Sequence, residues 1–149
     1  MIRNMRELDL NRIMEIWLTS NIKAHWFIEK AYWENHQDEV RQAISKAAVY
    51  VDEENGKIDG FIGLQESWIA GIFVEEEVRS KGIGRALLDH VKALYPELFL
   101  RVYVKNEPAV QFYGSQDMKC TGKKAAADKA AAEKFCMFRQ NTEGGKQKV

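Results

Sequence analysis

Hydrophobic spacing divides the chain into runs of two periods. Ile2 to Met5 reads as a short first strand. From Arg6 or Glu7 to Leu18, the apolar residues Leu10, Ile13, Met14, Trp17 and Leu18 recur three and four apart, which is one face of a helix, with Asp9 and Asn11 as early-turn caps. From Ser20 to Trp33 the periodicity fades and aromatics crowd in: His25, Trp26, Phe27, Tyr32, Trp33. That stretch predicts a loop and a short helix, followed by a helix from about Gln37 to Ser45. Ala47 to Asp52 alternates as a strand, and Glu54-Asn55-Gly56-Lys57 is a hairpin turn. Ile58 to Gln65 is the return strand, where Gly60 and Gly63 point to a bulge or a close backbone approach. Glu66 and Ser67 turn the chain into Trp68–Val74, short and apolar as a buried strand should be.

The second half begins with three acids, Glu75 to Glu77, and the stretch Val-Arg-Ser-Lys-Gly-Ile-Gly-Arg-Ala-Leu-Leu-Asp-His from Val78 to His90. Apolar residues at Ile83, Ala86, Leu87, Val91 and Leu94 give it a helical stripe. Pro96 ends that helix, Leu98 to Val104 is another buried strand, and Pro108 suits the first turn of a short helix carrying Ala109, Phe112 and Tyr113. Lys119–Gly122 and Lys134–Phe138 are expected as the last two strands. Between them, Lys123 to Glu133 is alanine-rich where a polar turn would be ordinary, and Asn141 to Val149 reads as a frayed tail.

Composition narrows the function classes. With 149 residues the chain suits one domain. Lys plus Arg equals Asp plus Glu at 22 each, so no overall positive charge points to nucleic acid. No window approaches the ~20 uninterrupted apolar residues of a membrane span, and the first residues lack the apolar core of a signal peptide. A cytoplasmic protein is the expectation. Cys120 and Cys136 face each other if the last two strands form a hairpin centred on Asp128; in a reducing compartment free thiols are expected. Consecutive acids at Glu75–Glu77 read as a solvated turn, and no metal site is expected.

The chemistry concentrates where the strand at Trp68–Val74 passes into the helix. Gly82 and Gly84 sit at the helix start, where backbone N–H groups are free and the helix dipole is positive. Arg79, Lys81 and Arg85 add cationic charge, so the loop is a plausible phosphate cradle. It is not a Walker loop, because Arg85 and Ala86 follow Gly84. Nor is it a dinucleotide fingerprint, whose third glycine would fall at Leu87. The remaining pattern, Arg-x-x-Gly-x-Gly from Arg79 to Gly84, closely resembles the coenzyme A pyrophosphate loop of the GNAT N-acetyltransferase superfamily. A second element follows in the right order: Asn106-Glu-Pro-Ala109-Val-Gln-Phe112-Tyr113 resembles N-x-x-A-x-x-F-Y of the same family. The segment Ile16-Trp17-Leu18…Ser20…His25…Phe27-Ile28…Tyr32-Trp33 resembles the small bacterial YiaC-like branch.

The resemblance implies a GNAT fold of class α/β (α+β) over residues 1–139, with residues 140–149 as a tail. That fold has a mixed, mostly antiparallel sheet of six to seven strands, splayed in the middle and flanked by about four helices. It implies acetyl-CoA as co-substrate, held by Ile72, Phe73 and Val74 through main chain. Arg79, Ser80, Lys81, Gly82, Ile83, Gly84 and Arg85 would hold the pyrophosphate, with Asn106, Ala109 and Phe112 beside them. The acceptor is a primary amine of a small molecule, peptide or protein, met by His25, Trp26 and Tyr32. Neither nucleic acid nor membrane is a partner, and the protein is a monomer or homodimer. Tyr113 matches the family's proton donor to the leaving thiolate. The family's carboxylate base has no counterpart at Arg101, so Glu66 acting through water, or no dedicated base, remains. The departure at Asp117, where the family has a glycine of positive φ, leaves open a catalytically silent coenzyme A-binding module. A phosphate-binding interaction domain is the third reading.

Overall fold

In the computed structural model, which describes residues 1–125 and 132–140, the β-like runs assemble into one seven-stranded sheet. The strands are β1 (Ile2–Asn4), β2 (Ala48–Glu54), β3 (Lys57–Gln65), β4 (Trp68–Val74), β5 (Glu97–Tyr103), β6 (Lys119–Ala125) and β7 (Ala132–Arg139). Their order is β1-β2-β3-β4-β5-β7-β6, and every neighbouring pair is antiparallel except β4 with β5. Five helices cover it, rather than about four: α1 (Leu10–Ala24), α2 (Lys30–Asn35), α3 (Gln37–Lys46), α4 (Ile83–Leu94) and α5 (Glu107–Ser115). This is the mixed, mostly antiparallel sheet that the resemblance implies. The alanine-rich segment around residues 126–131 and the tail at 141–149 lie outside the described residues.

Two apolar clusters form, one on each face of the sheet. Ile13, Ile16 and Trp17 of α1, Trp33 of α2 and Ile44 of α3 pack on Val49, Val51 and Phe61. Leu87, Leu88 and Val91 of α4 pack with Ile62, Leu64, Leu98 and Leu100. β3 feeds both clusters, so it is buried from Ile58 to Leu64 and does not alternate. In α4 the buried face takes in Leu88, which the sequence stripe omits, and leaves out Leu94, which is 55% exposed.

Three local features shape the middle of the sheet. First, α1 runs on to Ala24 instead of ending at Leu18. Apolar periodicity stops at Leu18, but Ser20 and Asn21 continue the same face and are buried, with Asn21 Nδ2 donating to the Trp17 carbonyl at 2.9 Å. Second, β4 bulges at Ala70. Gly63 of β3 stands opposite Gly71, but Leu64 stands opposite Ile69, so one extra residue lies on β4. Third, β4 and β5 pair only where they begin, at Trp68 opposite Phe99, and then diverge. The far half of β4 keeps β3 on one edge and, among the described residues, has no strand on the other.

At the opposite rim, Cys120 and Cys136 are cross-strand partners joined as a disulfide, with Cα atoms 4.0 Å apart. The expectation of free thiols is thus overturned. Antiparallel register places the two residues directly opposite, on the same side of the β6–β7 ribbon. Asp117 does take a positive φ, 62°, at the turn after α5.

Candidate active site

The diverging edges of β4 and β5 open a cavity of about 500 Å³. Its floor is the end of β4, Ile72, Phe73 and Val74. One wall is the end of α1, with Ser20, Asn21, Ala24 and His25; the other is α5 and its approach, with Asn106, Pro108, Ala109, Phe112 and Tyr113. The rim is the glycine loop, with Arg79, Ser80, Gly82, Ile83, Gly84 and Arg85. Sequence motifs far apart in the chain therefore meet around one space. Among the described residues no Asp or Glu lines it, and the fixed charge they place on its walls is that of the two arginines.

The loop is shaped to leave its amides free. Ser80 has φ 71° and Gly82 φ 82°, both left-handed, so the chain turns sharply before α4 begins. Only glycine takes that angle without strain, and at the N-cap of α4 no side chain satisfies the first-turn N–H groups. The first helical bond there is donated by Ala86 to the Gly82 carbonyl, at 2.9 Å. The amides of Ile83, Gly84 and Arg85 consequently have no intrahelical acceptor, and they stand at the positive end of the helix dipole. Arg79 Nε donates to the Val74 carbonyl at 3.3 Å, which ties the loop to the end of β4. A methyl group at Gly84 would come within 3.4 Å of the Phe112 ring, so α4 and α5 touch beside the rim.

Tyr113 is 7% exposed, and its hydroxyl has no hydrogen-bond partner among the described residues. Burial drives the phenol well above its ordinary pKa, so it keeps its proton throughout the neutral range. Asn106 caps α5: its Oδ1 accepts from the Ala109 amide at 3.4 Å. His25 ends α1. Burial pushes its imidazole below the ordinary 6.5, with a smaller opposing effect from the Asn21 carbonyl. Its ring is stacked on Trp33 and meets Phe27 and Tyr103 edge-on.

Several expected residues lie elsewhere. Glu66 occupies the β3–β4 turn with φ 54°, at the end of β4 where β5 is still paired; five residues, Ser67 to Gly71, stand between it and Ile72, and it does not line the cavity. Trp26 is 74% exposed and packs edge-on against Phe27 outside the cavity; Tyr32 packs against Trp33 and His36 on the surface of α2. Lys81 is exposed next to the rim but does not line it. Ser20, Asn21, Ala24 and Pro108 line the cavity although none was expected there. For the first three the signal was present: Ser20, Asn21 and Ala24 follow Trp17 at three, four and seven residues, the phase of the buried α1 face.

The family sequence profile described as Acetyltransferase (GNAT) matches residues 10–118. The peptidyl-lysine N-acetyltransferase YiaC of Escherichia coli is 40% identical over 118 residues, covering 78% of this chain and 81% of that protein. The solution structure of apo YjaB from E. coli superposes with a TM-score of 0.81 at 29% identity, over 93% of this chain and 96% of that one. A structure of yncA from Salmonella typhimurium, solved with its cofactor acetyl-CoA, shares the fold with a TM-score of 0.66. Its identity is 18%, over 93% of this chain and 92% of that one. With the profile covering α1 to α5 and strands β2 to β5, and a curated relative at 40% identity, this chain belongs to the GNAT family and is an N-acetyltransferase.

Proposed function

We propose that the protein moves an acetyl group from acetyl-CoA to the ε-amine of a lysine in a peptide or protein, by direct attack within a ternary complex. The observation that carries this reading is a continuity. The free amides at the start of α4 and the protonated hydroxyl of Tyr113 border the same cavity, along an edge of β4 that has no strand partner. The pyrophosphate fits the amides of Ile83, Gly84 and Arg85 with Arg79 and Arg85 beside them, and Lys81 adds charge from outside. The pantetheine arm, with its amides, fits the open edge at Ile72, Phe73 and Val74 in the manner of an added strand. Asn106, Ala109 and Phe112 close over it. YiaC and YjaB, named as peptidyl-lysine N-acetyltransferases, support lysine as the acceptor, and the acetyl-CoA of the Salmonella neighbour supports the donor.

The reaction then follows from the groups present. The neutral amine nitrogen attacks the thioester carbonyl carbon, and the carbonyl oxygen gains charge that a β4 amide at Phe73 or Val74 stabilises. The C–S bond breaks, the sulfur takes a proton from Tyr113, and the new amide nitrogen sheds its proton to water. The phenol regains its proton from solvent. With no carboxylate lining the cavity among the described residues, the amine arrives neutral through desolvation and the pH of the medium.

The test uses the whole protein with acetyl-CoA and two peptide sets. One set has lysine and a blocked N-terminus; the other has a free N-terminus and no lysine. Thiol release with acetylation confined to lysine is expected. Acetylation of the α-amine set alone would overturn the acceptor assignment, and absence of thiol release with either set would overturn the reading.

A further inference from the structure

We infer that His25 is a positioning residue: as a neutral, Nδ1-protonated ring it accepts a hydrogen bond from Asn106 and so latches the end of α1 to the start of α5 across the cavity. The inference rests on the acetyl-transfer reading for its effect on turnover, though not for its geometry. Asn106 Oδ1 accepts from the Ala109 amide, which leaves its Nδ2 facing His25 Nε2 at 3.4 Å. An amide nitrogen only donates, so Nε2 must be the acceptor. The ring proton is therefore on Nδ1, and there the Asn21 carbonyl lies 3.1 Å away to receive it. Each group in the series has one role compatible with its neighbours. No other tautomer satisfies both ends.

Protonation would undo the latch. A charged imidazole carries N–H on both nitrogens, so Nε2 would turn a donor toward the Asn106 donor. Asn106 could answer only by flipping, and the flip would release the cap of the helix that carries Phe112 and Tyr113. The charged and titratable groups around the ring are few. Tyr103 faces it from β5, and Lys105 lies beyond Phe27, its Nζ 5.5 Å from that ring centroid. α2 presents the neutral Trp33, α1 contributes Lys23, which is paired with Glu76, and Arg79 and Arg85 line the same cavity. Among the described residues no carboxylate lines the cavity beside the imidazole to hold a proton on it.

Two measurements test this. The first is the ¹⁵N spectrum of the imidazoles in the intact protein, which needs no activity. His25 is expected as the Nδ1–H tautomer at neutral pH; an Nε2–H tautomer, or a charged ring at pH 7, would overturn the latch. The second compares kcat/KM of the wild type, His25→Gln and His25→Phe from pH 5.5 to 8.5. Glutamine supplies an acceptor that cannot titrate, and phenylalanine keeps the ring but supplies none. His25→Phe should fall about fivefold to tenfold at pH 8, with His25→Gln recovering part of that loss. The ratio of wild type to His25→Gln cancels ionisation of the substrates, so it should stay level for as long as the folded ring is neutral and fall only where the ¹⁵N spectrum shows that ring taking up its proton. Gln no better than Phe at pH 8, or a ratio that does not follow the ring's own titration, would overturn the latch. If the wild type acetylates no peptide at any pH, the acetyl-transfer reading falls instead, and the tautomer alone decides the latch.

Discussion

Tyr113 and His25 show how burial decides what a side chain can do. The phenol is enclosed, keeps its proton and has a hydroxyl without a protein partner among the described residues, so the proton is available to a ligand in the cavity, although burial also makes the phenol a weaker acid. Tyr113→Phe should lower kcat by about 10²-fold or more while the Kd for acetyl-CoA, read by calorimetry, stays as it was. An unchanged kcat would mean that the ring only packs. For His25 the consequence concerns stability. The unfolded chain takes up a proton near the ordinary 6.5, whereas the folded ring does so only at lower pH, so the unfolded state binds more protons in between. The contribution of the neutral ring is therefore complete above 6.5 and is lost as pH falls through the folded value. Urea midpoints of the wild type should drop more steeply below pH 6.5 than those of His25→Phe. Tyr113 was legible in the sequence because its motif carries it. The state of His25 was not, since it depends on Trp33, Phe27 and Tyr103, which lie eight, two and seventy-eight residues away.

Among the elements, the β3–β4 pair decides where the loop sits. Gly60 is pressed against β4 and α4 at once: a Cβ there would lie 2.9 Å from the Phe73 carbonyl oxygen and 3.1 Å from Ile83 Cγ2. Gly60→Ala should destabilise the fold by about 1–3 kcal/mol in urea melts and weaken acetyl-CoA binding as well, because Phe73 and Ile83 both border the cavity. A silent substitution would mean that the strands separate freely. The sequence offered a bulge or a close approach at Gly60 and Gly63, and bulges are found beside both, at Asp59 next to Gly60 and at Ala70 opposite Gly63. What it did not announce was the end of α1. Ser20 and Asn21 look like a helix stop because they are polar, yet both are buried and line the cavity, and Asn21 hydrogen-bonds the Trp17 carbonyl. Amphipathic reading treats polar as outside, and a helix that ends in a binding site breaks that rule.

At the scale of the molecule, the succession of strands and helices along the chain was largely readable from periodicity, whereas the order of the strands within the sheet was not. The β4–β5 divergence was reached through family resemblance rather than through any pattern of residues. The Cys120–Cys136 bond was readable only as a possibility of register, since chain composition says nothing of pairing. Closing a loop across a separation of 16 residues constrains the unfolded chain by about 3 kcal/mol in the chain-entropy description. Calorimetry of the oxidised protein, with and without dithiothreitol, should show a clear fall in Tm on reduction. Equal values would mean that the ribbon is already fixed by its neighbours.

An ordinary open sheet has two borders, both facing solvent and both able to recruit a stray chain. Here the parting of β4 from β5 creates a second pair of borders that look at each other across a slot. Unlike the outer borders, the free half of β4 is flanked by the end of α1 and by α5, so its main-chain groups are offered to whatever enters the cavity rather than to another sheet.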